Sequence, residues 1–148
     1  MTDYATSLLD YLSESLRHTP QDTRWHGEGD VYKHTMMVCD ALQGMVEYNA
    51  LSLTRRELLL AAAKLHDIGK IFTTRNIAGT IEARHHAPTG SRRAREALWK
   101  AGMCGKPELT ARRETICQLV RYHSFPPHAI DSENVALRVC LLLNQFKH

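Results

Sequence analysis

The sequence predicts an all-α fold, a compact bundle of about six helices forming one domain over residues 1–148. Three observations predict it. Apolar residues recur at alternating spacings of three and four through most of the chain. Short loops rich in Pro, Gly and Asp punctuate these stretches, and no credible run of strands interrupts them. With 148 residues, 43% of them hydrophobic, the chain is long enough to enclose a core without disulfides or a structural metal. No repeat, low-complexity tract or linker divides it.

The first helix is expected from about Asp3 to Leu16, with Tyr4, Leu8, Leu12 and Leu16 on one stripe, ending before Pro20. Pro20 to Asp30 holds Pro, Asp and two glycines and is a loop. A second helix, from Val31 to about Tyr48, aligns Val31, His34, Val38, Ala41 and Met45, which places His34 on its buried face. A third begins with Thr54-Arg-Arg-Glu57, the pattern of a capping box in which each side chain satisfies a backbone donor. Its apolar face, Leu58, Leu59, Ala62 and Leu65, reaches His66, with Gly69 available as a stop. Thr73 to His86 is a loop or a small hairpin. A fourth helix from Pro88 to about Ala101 turns Ala94, Leu98 and Ala101 inward, and a fifth, roughly Pro107 to His123, aligns Ile116, Val120 and His123. A sixth runs from Ser132, a good N-cap, towards Phe146.

The longest apolar stretch, Leu58 to Ala63, falls far short of the ~20 residues a membrane helix needs, and the N-terminus lacks a signal-peptide layout. A soluble, cytoplasmic protein is expected. Cys39, Cys104, Cys117 and Cys140 are scattered, form no C-x-x-C pair and sit in or beside apolar helical patterns, so they are expected to be reduced thiols, mostly in the core. The net charge of +3 is mild, but it hides basic clusters at Arg92-Arg93, Arg95 and Arg112-Arg113. Such clusters usually mark a solvated helix face. There is no G-x-x-x-x-G-K phosphate loop.

Nine histidines are the more informative feature, because imidazole is costly to bury unpaired yet is the commonest ligand for borderline metals. Three predicted helices present one at the inward edge of an apolar stripe: His34, His66 and His123. A single such histidine is more often a satisfied core residue than a ligand. Three of them, with Asp67 beside His66 on the last turn of a buried helix, point to a shared divalent cation, which removes the cost of burying that carboxylate.

Asp30-Val-Tyr-Lys-His34-Thr followed by His66-Asp67-Ile-Gly-Lys70 resembles the defining pattern of the HD-domain superfamily, helical metal-dependent phosphohydrolases. His86, four residues before Gly90, and Val120-Arg-Tyr-His123 resemble the later histidines with which some members hold a second metal. The resemblance spans from about Trp25 to the end of the last helix. It implies that His34, His66 and Asp67 bind one ion and that Asp67 bridges to a second held by His86 and His123. Mixed imidazole and carboxylate ligation suits Mn, Fe, Co, Ni or Zn, so two divalent transition-metal ions are expected. His85 is the rival of His86, whose distance from Gly90 matches the family pattern. The sequence departs from that pattern at its close. The final helix has no aspartate, leaving Asn144 as a neutral oxygen ligand, a ligand-bearing helix beyond this chain, or Asp131, which precedes the helix.

The loop Trp25-His26-Gly-Glu28-Gly-Asp30 directly precedes the metal helix. His26 is a candidate to bind phosphate or protonate the leaving oxygen, work that suits an imidazole. Asp67, His26 and Lys70 are the candidate catalytic residues, and His26, Lys70, Arg75 and Arg84 the candidate phosphate contacts. The same loop and the later Val-Arg-Tyr-His are similar to HD domains joined to polynucleotide kinase or RNA-ligase modules. They are similar, more loosely, to the HD portion of tRNA nucleotidyltransferases. That resemblance implies an esterase for 2′,3′-cyclic phosphate or 3′-phosphate RNA ends, a partner end-repair kinase or ligase, and backbone contacts from Arg92, Arg93 and Arg95. A 5′-nucleotidase, a non-catalytic metal- or nucleotide-binding module and a purely structural histidine set are the alternatives.

Overall fold

The computed structural model describes residues 4–24 and 26–125 of the chain. The expected sixth helix, with Ser132, Asn144 and Cys140, and the carboxylate of Asp131 therefore lie outside the described residues. Among the described residues the protein is helical apart from one small hairpin, as the periodicity requires. No helix among them is long and apolar enough to cross a membrane.

Helix α1 (Tyr4–Arg17) buries Ala5, Leu9 and Leu16, with Tyr4, Leu8 and Leu12 partly covered beside them. Helix α2 (Val31–Gly44) starts where Asp30, in extended backbone, accepts a hydrogen bond from the Lys33 amide at 2.8 Å, a conventional N-cap. Its buried face is Val31, Thr35 and Cys39, not the stripe through Ala41 and Met45, both of which are exposed. The predicted continuation to Tyr48 breaks at Gly44–Met45. Gly44 is a weak helix former, Met45 is extended, and a separate turn α3 (Val46–Asn49) follows and buries Tyr48.

Helix α4 (Leu53–Leu65) packs against α1, α2 and α7 and forms the axis of the bundle. It begins one residue earlier than the expected capping box, with Ser52 as N-cap and no side-chain cap. Glu57 instead pairs with Arg112 on α7, and a guanidinium is a stronger partner for a carboxylate than a backbone amide. After α4 come the turn His66–Gly69 and a single helical turn α5 (Lys70–Thr73).

Strands β1 (Arg75–Ile77) and β2 (Thr80–Glu82) pair antiparallel, resolving the Thr73–His86 alternatives as a hairpin. Its two-residue turn, Ala78 (φ 51°) and Gly79 (φ 84°), has the left-handed backbone that suits the twist of such a ribbon. Helix α6 (His86–Lys100) then packs along α7 (Pro107–Tyr122), which carries Pro in its first turn. Ala94, Leu98, Ile116, Cys117 and Val120 join Ala62, Leu65 and Ile68 in the main core, whereas Ala101, expected inward, is exposed. Cys39, Cys104 and Cys117 are free, the first and last of them buried.

Gly69 does not end a helix in a left-handed conformation; its φ is −64°. Its lack of a side chain serves packing. A Cβ there would lie 2.0 Å from the His86 carbonyl oxygen and 2.7 Å from the Gly90 amide nitrogen. One on Gly90 would lie 3.2 Å from the Gly69 nitrogen. The first turn of α6 thus crosses the His66–Gly69 turn backbone to backbone.

Candidate metal centre

Four elements deliver one histidine each to Asp67. His34 sits in the first turn of α2, behind the Asp30 cap. His66 and Asp67 leave the end of α4, held between the fully buried Leu65 and the nearly buried Ile68. His86 opens α6 at the glycine crossing, and His123 follows α7 one turn beyond the buried Val120. Asp67 itself is 2% exposed.

The two oxygens of Asp67 divide these neighbours. Oδ2 lies 3.2 Å from His66 Nε2, 3.8 Å from His34 Nε2 and 2.7 Å from Lys70 Nζ. Oδ1 lies 3.3 Å from His86 Nε2 and 3.6 Å from His123 Nε2. Ligand atoms of His34, His66 and Asp67 lie within 4.8 Å of one another, and so do those of Asp67, His86 and His123. His86 stands at the carboxylate; the exposed His85 belongs to neither group.

Each histidine is oriented through its other ring nitrogen. Nδ1 of His66, His86 and His123 donates to the carbonyl oxygen three residues back, at 2.8, 2.9 and 2.7 Å. A carbonyl only accepts, so these Nδ1 atoms carry the proton and Nε2 faces Asp67. Burial pushes the pKa of His86 down and that of His123 down to about 4, so both are neutral at pH 7. Their Nε2 atoms then present lone pairs 3.2 Å apart, beside an Asp67 Oδ1 that is buried without a hydrogen-bond partner. Three electron-rich atoms converge with no proton between them, the arrangement a divalent cation satisfies.

The Oδ2 side is already charged. Burial opposes a positive His66, but the hydrogen bond to Asp67 outweighs it and raises the imidazole pKa. Burial would likewise raise the Asp67 carboxyl, yet the His66 N–H and the Lys70 ammonium hold it well below the usual carboxylate range. Burial lowers the His34 pKa despite the charge on Asp67.

Unlike the other three, His34 directs Nδ1 to a carboxylate, 2.6 Å from Glu28 Oε1, and the same oxygen accepts from His26 Nδ1 at 3.0 Å. The rings of His26 and His34 meet edge to face, 4.8 Å apart. The Pro20–Asp30 loop is therefore tied to the centre through Glu28. A second tie is Lys70, buried, whose ammonium donates to Gln21 Oε1 at 2.6 Å as well as to Asp67. Glu28 and Gln21 were not singled out among the sequence candidates. Glu28 has a sequence signal, a carboxylate between two glycines six residues before the metal histidine. Gln21 has none.

A cavity of about 370 Å³ opens beside the centre, lined among others by Gln21, Arg24, His26, Lys70, Glu82 and His86. Two expected phosphate contacts are placed elsewhere. Arg75 is exposed and donates to the Phe72 and Thr74 carbonyls, and Arg84 is exposed and paired with Glu82 at 2.6 Å. Neither lines the cavity; each guanidinium is held by acceptors within three residues of it in the chain. Arg24, absent from the sequence candidates, does line it, while pairing with Asp22.

The family model described as HD domain matches residues 31–141, three quarters of the chain. No curated protein and no solved structure matches the chain. Members of this family bind divalent metals and are in general metal-dependent phosphohydrolases, some having lost catalysis. The matched residues include the His66-Asp67 doublet and His34, His86 and His123 around it, and the chain belongs to the HD domain family.

Proposed function

We propose that this protein is a two-metal phosphoesterase acting on nucleotide or RNA-end phosphoesters, foremost 2′,3′-cyclic phosphate or 3′-phosphate termini. The observation that carries the reading is Asp67, one buried carboxylate with a histidine pair at each oxygen. His34, His66 and Asp67 would hold one divalent transition metal, and Asp67, His86 and His123 the other. Such ions neutralise phosphoryl oxygens and acidify water for attack at phosphorus.

The chain's own residues supply the rest. Asp67 stays ionised and would offer one oxygen to each ion. The backbone carbonyls of Ala63, Ala83 and Val120 fix three rings with Nε2 inward. Lys70 adds positive charge to the wall of the cavity while its donors hold Asp67 and Gln21. His26, on that same wall with its Nδ1 on Glu28, is the candidate to protonate the leaving oxygen from Nε2. At about 370 Å³ the cavity has the size of a small-molecule site, matching one terminal nucleotide.

The test is a substrate screen with purified protein loaded with Mn or Ni. Release from 2′,3′-cyclic or 3′-phosphate ends, lost in His66→Ala together with bound metal, is the expected result. Robust release from 5′-nucleotides with none from cyclic or 3′-phosphate ends would make the protein a nucleotidase. No bound metal, with no effect of His66→Ala, would remove the enzymatic reading altogether. We further propose that the protein works in the cytoplasm beside an end-repair kinase or ligase.

A further inference from the structure

A second concavity, about 630 Å³, lies between α6 and α7, and His85, Thr89, Arg92, Arg95, Gln118 and Arg121 are among its lining. Among the described residues no carboxylate lines it. Arg92 and Arg95 lie three residues apart on one face of α6, and Gln118 and Arg121 have the same spacing on α7, so the two rows face each other across the groove.

The other arginines of this helix pair are engaged elsewhere. Arg93 pairs with Glu96 at 3.3 Å and lies over the Phe72 ring, Arg112 pairs with Glu57, and Arg113 donates to the Met103 carbonyl beneath Trp99. Arg92 and Arg121 have no carboxylate within ion-pair distance among the described residues. Arg95 holds Glu114 at 2.8 Å, but that carboxylate is shared with Arg113, so one negative charge serves two guanidinium groups. The groove keeps an excess of positive charge. The basic cluster of the sequence is thus split by the fold, with Arg92 and Arg95 in the groove and Arg93 over Phe72 of α5.

The position of the groove gives that charge a meaning. Ala83 and His86 line the cavity beside the metal centre, and His85 lines the groove, so the two flank one turn. The crest of that turn is formed by Arg84 and His85, both exposed, His85 with φ 60°. A nucleoside monophosphate has a single phosphate and cannot place one on both sides of it. A chain can.

We infer that this groove binds the sugar–phosphate backbone of a single-stranded polynucleotide whose terminal phosphoester lies at the metal centre. The inference rests on the phosphoesterase reading above and extends it to a polymeric substrate. Among the described residues the His85 imidazole is the one aromatic ring in the lining, so successive bases have no row of stacking partners there. Binding is therefore backbone-directed, tolerant of sequence and steeply salt-dependent.

The experiment is fluorescence anisotropy of a labelled oligoribonucleotide of about 12 residues ending in a 3′-hydroxyl, titrated with the full chain at several salt concentrations. Because that end carries no terminal phosphate, binding is scored without hydrolysis. Arg92→Glu with Arg121→Glu is expected to weaken binding by about tenfold or more and to flatten its salt dependence. Arg55→Glu, at an exposed position on α4 outside the groove, should stay within about twofold. Arg92→Gln with Arg121→Gln, at an unchanged unfolding midpoint, is expected to reproduce part of the loss. An equal loss in Arg55→Glu, no binding by the unaltered chain, or equal binding of poly-glutamate would each overturn the inference. If terminal phosphate is released while groove variants bind normally, the groove assignment fails and the phosphoesterase stands. If groove variants lose binding while no metal is found, the reverse holds.

Discussion

On the Oδ2 side of Asp67, the His66 ring, whose proton affinity the carboxylate raises, the Lys70 ammonium and its link to Gln21 already partner the carboxylate. On the Oδ1 side, two neutral imidazoles and a bare oxygen meet without a proton. One carboxylate thus has a compensated face and an uncompensated one. A metal entering at His34 and His66 competes with the Lys70 ammonium at Oδ2 and with a His66 ring of raised proton affinity; one entering at His86 and His123 meets neither. The difference predicts unequal sites, the second filling first.

Asp67→Asn removes the negative charge both sides share and is expected to abolish binding at both groups of ligands and, with it, hydrolysis; metal analysis with an activity assay checks it. Gly69→Ala should come next. Its Cβ meets the His86 carbonyl at 2.0 Å, so α6 must move, with a cost on the order of 3 kcal/mol and loss of the His86–His123 site. Denaturant unfolding together with metal stoichiometry would show it, and a normal stoichiometry would contradict the backbone crossing.

Acid should separate His66 from the other three imidazoles in the metal-free chain. His123, about 4 when folded against an ordinary value of 6.5, contributes stability that is present above pH 6.5 and lost as pH falls towards 4, at most about 3 kcal/mol. His34 and His86, also lowered, act in the same direction. His66, raised, opposes them: its contribution is full below its unfolded pKa and lost as pH rises. His123→Gln should therefore shrink the loss of stability between pH 6.5 and 4, measured by thermal unfolding. In the metal-loaded protein the same variant should bind about one ion fewer, with the His34–His66 side retained.

The smallest expected effect tests the loop. Glu28→Gln weakens the acceptor for His34 Nδ1 and should lower metal affinity at the His34–His66 side by roughly tenfold, leaving the other ion unchanged. Glu28→Asp, which keeps the charge, should recover part of it. Equal weakening of both ions would mean that Glu28 supports the fold and not one site.

Much of this was legible in residue order. Period-three-and-four patterning located α1, α4, α6 and α7, and the His-Asp doublet with three further histidines named the residues the fold brings together. Features that depend on contacts between distant segments were not. The capping box at Thr54–Glu57 is a local pattern that lost to Arg112, 55 residues away. Met45 fits the apolar stripe of α2 but falls where the helix has already ended. Lys70, adjacent to the doublet in sequence, is buried by a glutamine 49 residues earlier. Gly69 has a punctuation signal for a helix end, whereas its use is an approach of main chains that no single-segment pattern encodes.

That approach bears on ion size. His86 is carried on main-chain atoms already in contact with the turn that bears Asp67, so its half of the centre has no slack to draw inward around a smaller cation. His34 is held by a carboxylate on a loop, an adjustable mount. Discrimination between cations of different radius should therefore reside at the rigid half, and tolerance at the other.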